Sequence, residues 1–334
     1  MKPRVFVSRP LLPAAIERIA EHCEVTVNPE DAALEPAALA EACRDVDGLV
    51  ACGVRVNEEV LRQATRLRVV ANVGAGYDNI DVSACTRRGI VVTNTPGVVT
   101  EITADTAFAL LLSAARRVPE LDRYVREGRW HHWEWGSLWG AEVNGKTLGL
   151  YGFGLIGQAM ARRARGFSMR VLYHTRHRAP QSLEKELNAR FVDRETLLRE
   201  SDFLSLHAPL TAHTHHLIGA SELARMKPGA FLINPARGKV VDEEALVQAL
   251  RAGKIAGAGL DVYEHEPHLH PGLATLPNVV LLPHIGSAAA EPRLKMAMLA
   301  VDNLLAALDG RRSSHVVNAE VFESSIERHR CPHL

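Results

Sequence analysis

An α/β fold built from two parallel-sheet units is what this chain predicts, and three observations predict it. At roughly 150 residues per domain, its 334 residues fit two compact units, each with its own core. Short β-branched runs alternate with helical patterns along its length. A glycine-rich turn, Gly152-Phe-Gly154-Leu-Ile-Gly157, joins one of these runs directly to a helical pattern.

The first series of expected strands is Arg4–Val7, Glu24–Val27, Gly48–Val50, Arg68–Ala71 and Ile90–Val92, separated by helical stretches such as Pro13–Ala20. The second is Thr147–Tyr151, Arg170–Tyr173, Phe203–Leu206, Ala230–Ile233, Ala256–Leu260 and Val279–Leu282. Two α/β units with a seam near residue 100 follow from this rhythm. Over Thr103–Val118, Ala107, Leu110, Leu111, Ala114 and Ala115 fall at helical spacing without glycine or proline, which predicts a long buried helix bridging the units. All four tryptophans, Trp130, Trp133, Trp135 and Trp139, crowd into one loop-like segment, a clustering that points to an interface rather than a core. Ala288–Leu308 is a second long amphipathic helix, with Leu294, Met298, Val301, Leu304, Leu305 and Leu308 on its apolar face. The polar tail after Asn318 is expected to fray.

Composition narrows the function. Hydrophobic residues make up 47% and charged residues 23%, which excludes disorder and collagen. Lys+Arg number 39 and Asp+Glu 39, so no basic excess draws the chain to nucleic acid or anionic lipid. The apolar run Phe108–Leu112 falls far short of the ~20 residues a membrane span needs, and MKPRVFVSRP carries no signal-peptide core, so the cytoplasm is expected. Cys23, Cys43, Cys52, Cys85 and Cys331 are odd in number and widely spaced, which favours reduced and mostly buried thiols. His213, His215 and His216, and the group His265, His268 and His270, lack a matching second ligand set, and no metal is expected.

The glycine turn follows its strand and opens a helix, the context in which this pattern binds a dinucleotide. Gly152 permits the tight turn, Gly154 lets backbone N–H groups approach a pyrophosphate, and Gly157 lets helix pack on strand. The next strand ends Tyr173-His174-Thr175-Arg176-His177-Arg178, with no carboxylate for ribose hydroxyls and with guanidinium groups suited to a phosphate. NADP(H) is therefore the expected cofactor, with NAD(H) as the alternative.

Three segments directly follow strands of the second unit: Asn234-Pro-Ala-Arg237, Leu260-Asp-Val-Tyr-Glu-His-Glu266 and Pro283-His284-Ile-Gly286. Reducing a 2-keto acid needs a cation for the substrate carboxylate, a proton donor for the carbonyl oxygen and a carboxylate that keeps the donor protonated. Arg237, His284 and Glu266 are of those three types.

From Arg4 to about Asn318 the sequence resembles the D-isomer-specific 2-hydroxyacid dehydrogenases, on these segments together with Asn72–Asp81 and Thr93-Asn-Thr-Pro96-Gly97. It is most similar to the glyoxylate/hydroxypyruvate reductase branch. The resemblance implies two Rossmann-like/flavodoxin-like parallel-sheet domains with an active-site cleft between them: a discontinuous substrate-binding domain, residues 1–99 plus 288–334, and a dinucleotide-binding domain, residues 100–287. It implies a homodimer and a small 2-keto or 2-hydroxy acid substrate. By the same resemblance Arg237 holds the substrate, His284 is the general acid, Glu266 hydrogen-bonds the imidazole, and the Ala75 and Gly76 amides hold the carboxylate. Implied cofactor contacts beyond the three glycines are Leu155, Ile156, Thr175, Arg176, Pro209, Thr214, Pro235, Ala236, Asp261 and Gly286. Other 2-hydroxyacid dehydrogenases, such as a 2-ketogluconate reductase, a phosphite dehydrogenase and a dinucleotide-sensing corepressor-like scaffold are the alternatives on this fold, and the retained Arg, Glu and His argue for turnover.

Overall fold

The computed structural model describes residues 1–323 and divides into two compact units, Met1–Val99 together with the described residues from Ala289 onward, and Thr100–Ala288. The second unit thus runs one residue further than expected. Cys331 and the end of the polar tail lie outside the described residues. Up to Asn318 the chain is held: the Asn318 side chain accepts the Val92 N–H at 2.8 Å and donates to the Ile90 carbonyl at 2.9 Å.

The first unit alternates strictly: β1 (Arg4–Val7), α1 (Pro13–Ala20), β2 (Glu24–Val27), α2 (Pro36–Ala42), β3 (Gly48–Ala51), α3 (Glu58–Gln63), β4 (Val69–Asn72), α4 (Val82–Arg87) and β5 (Val91–Thr93). Its five strands are all parallel, in the order β2-β1-β3-β4-β5. Period-two alternation sorts their side chains between two cores. Val5, Val7, Val50, Val69, Ala71 and Val91 share one with α1, and Phe6, Leu49, Ala51, Val70 and Val92 share the other with α2, α3 and α4.

The second unit comprises α5 (Thr100–Arg116), α6 (Val118–Arg126), β6 (Thr147–Tyr151), α7 (Leu155–Ala164), β7 (Arg170–His174), α8 (Gln181–Leu187), β8 (Ala189–Phe191), α9 (Arg194–Glu200), β9 (Phe203–Leu206), α10 (Ala220–Leu223), β10 (Phe231–Asn234), α11 (Glu243–Arg251), β11 (Gly257–Leu260), α12 (Pro271–Ala274) and β12 (Val279–Leu281). Seven parallel strands lie in the order β12-β11-β10-β9-β6-β7-β8. Helices α5 and α7 cover one face, and α9, α10 and α11 the other. The expected bridging helix stops at Arg116, because Arg117 turns left-handed (φ 57°) ahead of Pro119, and α6 starts afresh. Strand β8 escaped the sequence reading: it is a three-residue edge strand with Arg190 at its centre.

Helix α13 (Ala290–Leu308) belongs to the first unit, and Ala297, Val301 and Leu304 enter the α1 side of its core. Of its expected apolar face, Val301, Leu304 and Leu308 are buried and Leu294, Met298 and Leu305 half-buried, while Met296, Ala297, Ala300, Asn303 and Ala307 extend the buried side. Cys23, Cys43 and Cys85 are buried free thiols and Cys52 is half-buried. No helix among the described residues is long and apolar enough to cross a membrane.

Candidate active site

Parallel sheets present ligands at the carboxyl ends of their strands, and the residues singled out from the sequence stand there. After β6, Gly152 has φ +100°, and a Cβ there would sit 2.6 Å from the His207 carbonyl oxygen. A Cβ on Gly157 would lie 2.5 Å from the Gly152 oxygen, which keeps α7 tight against the turn. Gly154 differs: nothing lies within 4 Å of its missing Cβ, and as the N-cap of α7 it leaves the first-turn N–H groups without a capping side chain. An open cradle lined by free amides at a positive helix end fits a pyrophosphate. Leu155 is exposed and Ile156 half-buried beside it. Beneath the turn lies His207, missed in the sequence, with Nε2 2.9 Å from Ser205 Oγ and a pKa pushed down to about 3 by burial.

Beyond β7, Arg176 is exposed and makes no ion pair or hydrogen bond among the described residues, and the Thr175 hydroxyl donates to the His177 carbonyl. Arg178, read from the sequence as a second phosphate-facing guanidinium, instead makes a bidentate ion pair with Glu184. Pro209 is exposed, and the Thr214 hydroxyl is occupied within its own loop, donating to the Pro209 carbonyl at 2.6 Å and accepting the Thr211 N–H at 2.8 Å.

Arg237, Glu266 and His284 come from the ends of β10, β11 and β12. The Asn234 side chain accepts the Ala236 N–H at 3.1 Å and donates to the Arg237 carbonyl at 2.9 Å, bracing the turn through the buried Pro235. The next residue, Gly238, packs its Cα on the backbone of Tyr263, where a Cβ would lie 1.8 Å from the carbonyl carbon, so the Arg237 turn and the Glu266 loop press together. Glu266 Oε1 accepts the Tyr263 N–H at 2.9 Å, and Oε2 meets His284 Nδ1 at 2.7 Å. Burial alone would raise the Glu266 pKa, but the His284 bond and the Arg237 charge outweigh it and hold it low. His284 is raised above its usual value by the Glu266 hydrogen bond, against burial and the neighbouring Arg237. Its backbone is left-handed, φ 54°.

Asp261, expected among the cofactor contacts, is 0% exposed. Its carboxylate oxygens take the Ile285 and Gly286 N–H groups, each at 2.7 Å, and its carbonyl takes the His284 N–H at 2.9 Å, so in this chain it fixes the turn that carries the imidazole.

In the first unit, the loop after β4 has its carbonyls pinned: Asn72 Nδ2 donates to the Gly74 and Gly76 oxygens at 3.2 and 2.7 Å, and Asn94 Nδ2 to Ala75 O at 2.7 Å. The Ala75 and Gly76 N–H groups meet no acceptor among the described residues, an arrangement that favours an anion. The sequence pointed to the amides but not to the two asparagines that orient them.

Among the described residues no group of three or more His, Cys, Asp or Glu is arranged to hold a metal. His216 pairs with Glu264, and His270 Nε2 lies 3.0 Å from Glu244. The four tryptophans are 55% to 78% exposed.

Residues 108–286 match the D-isomer specific 2-hydroxyacid dehydrogenase, NAD binding domain, family. Glyoxylate reductase from Thermococcus litoralis is 50% identical over 330 residues, 97% of this chain and 99% of that protein. The Thermococcus kodakarensis glyoxylate reductase is 52% identical over 97% of this chain and 98% of its own. Among solved structures, an NADPH-dependent glyoxylate/hydroxypyruvate reductase from Sinorhizobium meliloti, in complex with NADP and malonate, superposes with a TM-score of 0.86 at 38% identity, covering 95% of this chain and 97% of that one.

Proposed function

The chain belongs to the D-isomer specific 2-hydroxyacid dehydrogenase family, and from that premise we propose that it reduces small 2-keto acids, glyoxylate to glycolate and hydroxypyruvate to D-glycerate, with NADPH preferred over NADH. The observation that carries this reading is the His284–Glu266 pair at 2.7 Å, with the Arg237 charge acting on both groups.

A nicotinamide dinucleotide would be held by Gly154 and the first turn of α7 at its pyrophosphate and by Arg176 at its 2′-phosphate, and when bound it would supply the hydride that reduces the carbonyl carbon. Arg237 binds the substrate carboxylate and polarises the carbonyl, which raises the electrophilicity of the carbon and stabilises the developing oxyanion. His284 gives its Nε2 proton to that oxygen, since Nδ1 is committed to Glu266. Glu266 stabilises the protonated imidazole before transfer and holds the ring's orientation afterwards. In the first unit, the Ala75 and Gly76 amides offer an anion two further donors. A homodimer is part of this reading, supported by four exposed tryptophans on one segment, as is a place in the cytoplasm.

The test is loss of reduced-nicotinamide absorbance with glyoxylate, hydroxypyruvate and 2-ketogluconate, each with NADPH and NADH. Rapid NADPH-dependent turnover of the first two is expected. Coenzyme binding without turnover of any keto acid would overturn the enzymatic reading.

A further inference from the structure

Two arginines follow β7, and the structure treats them oppositely. Arg178 donates from Nε to Glu184 Oε1 and from Nη2 to Oε2, both at 2.8 Å, and its guanidinium carbon lies 6.0 Å from the centre of the Phe191 ring. Glu184, in the first turn of α8, is only 7% exposed. Its Oε1 also accepts the Tyr173 hydroxyl at 2.6 Å, and that hydroxyl accepts the Ala179 N–H at 3.0 Å. Tyr173 is fully buried and stacks 4.0 Å from Phe153, the residue between Gly152 and Gly154. One network therefore ties the far end of the 174–179 loop to the glycine turn, while Arg176 stands in the middle of that loop without a partner among the described residues.

Glu184 and Arg178 together are electrically neutral, so the pair acts on a bound phosphate through the loop shape it anchors rather than through net charge. Arg178 with Tyr173 holds Glu184 down to about 2, so the pair stays ionised throughout the working range. We propose that Glu184, acting through Arg178 and Tyr173, is a positioning residue for coenzyme selection: it withdraws Arg178 from the phosphate and fixes the loop so that Arg176 alone contacts the 2′-phosphate. The inference rests on the NADPH reading above, which Arg176→Ala tests separately.

Dissociation constants for NADPH and NADH are measured by coenzyme fluorescence, without substrate, for the full chain and for Arg176→Ala, Glu184→Gln, Arg178→Met, the Glu184→Gln/Arg178→Met double variant and Tyr173→Phe. Arg176→Ala is expected to weaken NADPH by about tenfold or more and to leave NADH within about twofold; equal losses would remove the NADPH reading and the positioning role with it. Given the expected Arg176 result, Glu184→Gln and Arg178→Met each weaken NADPH about tenfold with NADH nearly unchanged, and the double variant is no weaker than the worse single one. Tyr173→Phe keeps the ring stack and gives a smaller loss of the same kind, a readout that survives if the charge variants fail to fold. Tighter NADPH binding by Glu184→Gln, additive losses in the double variant, or equal weakening of both coenzymes would overturn the positioning role while leaving that of Arg176 intact.

Discussion

Replacing His284 with asparagine tests proton delivery with the least structural disturbance. The residue sits at φ 54°, a left-handed conformation that asparagine tolerates better than alanine does. Its side chain is 50% exposed. The turn around it is held by the His284, Ile285 and Gly286 N–H groups on Asp261, and none of these bonds involves the imidazole. The fold should therefore survive and the chemistry should not. A positioned general acid contributes about 10²–10⁴ in rate, or about 3–5 kcal/mol of barrier. The expected result is a fall in kcat for glyoxylate reduction of about two to four decades, with the NADPH dissociation constant within about twofold. The pH profile gives a second readout. On the proposed mechanism reduction needs the imidazolium, and because Glu266 raises its pKa above 6.5, wild-type activity should persist through neutral pH and fall as pH rises through the raised value. Stability contributed by the ion pair follows the same sign: it is fully present below 6.5 and is lost as pH climbs through the folded value. Wild-type turnover in His284→Asn, or survival of the alkaline limb in that variant, would refute the assignment.

On the proposed mechanism, in which one guanidinium both binds the carboxylate and polarises the carbonyl, Arg237→Ala should lower kcat/KM by about two to three decades, with KM and kcat both affected. A selective loss of coenzyme affinity, measured by fluorescence titration, would contradict that role. The glycine turn should separate by thermal denaturation and coenzyme titration. Gly152→Ala meets the His207 carbonyl at 2.6 Å from a φ of +100°, and should cost about 1–3 kcal/mol of stability. Gly154→Ala meets no neighbour within 4 Å, so Tm should hold while NADPH and NADH both bind less tightly. A drop in Tm with unchanged coenzyme binding in Gly154→Ala would show that its open side serves packing.

What was legible in the sequence was what local chemistry decides. Each glycine of the fingerprint has a role set by its immediate neighbours, and β-branched runs between helical stretches leave little choice but parallel strands with residues such as Arg237 and His284 at their ends. The unread parts depend on contacts through space. Arg178 and Arg176 look alike as letters, and only the packing of α8 after β7 brings Glu184 under one of them. Asp261 follows a buried strand in either reading, but its occupation by the Ile285 and Gly286 amides depends on where β12 returns. The packed side of α13 was legible in part: Val301, Leu304 and Leu308 are buried as expected, but Met296, Ala297, Ala300, Asn303 and Ala307 are buried beside them, and small or polar residues give a hydrophobic pattern little to mark.

The electrostatics of the site explain why Arg, Glu and His must occur together, and so why their joint appearance at strand ends carried so much information. Binding a carboxylate calls for a guanidinium, but a guanidinium beside an imidazole drives the imidazole towards its neutral form, as the lowering effect of Arg237 on His284 shows. A neutral His284 whose Nδ1 bears the only proton has none to give from Nε2. Glu266 reverses the balance: its hydrogen bond at 2.7 Å is the largest influence on His284 and outweighs both burial and Arg237. The same carboxylate stays ionised because those two cations hold it down against burial. Each member therefore creates a problem that another solves. Losing Glu266 alone should move the alkaline limb of the reduction profile to lower pH, whereas losing Arg237 should free the imidazole's affinity for its proton while leaving the substrate unheld.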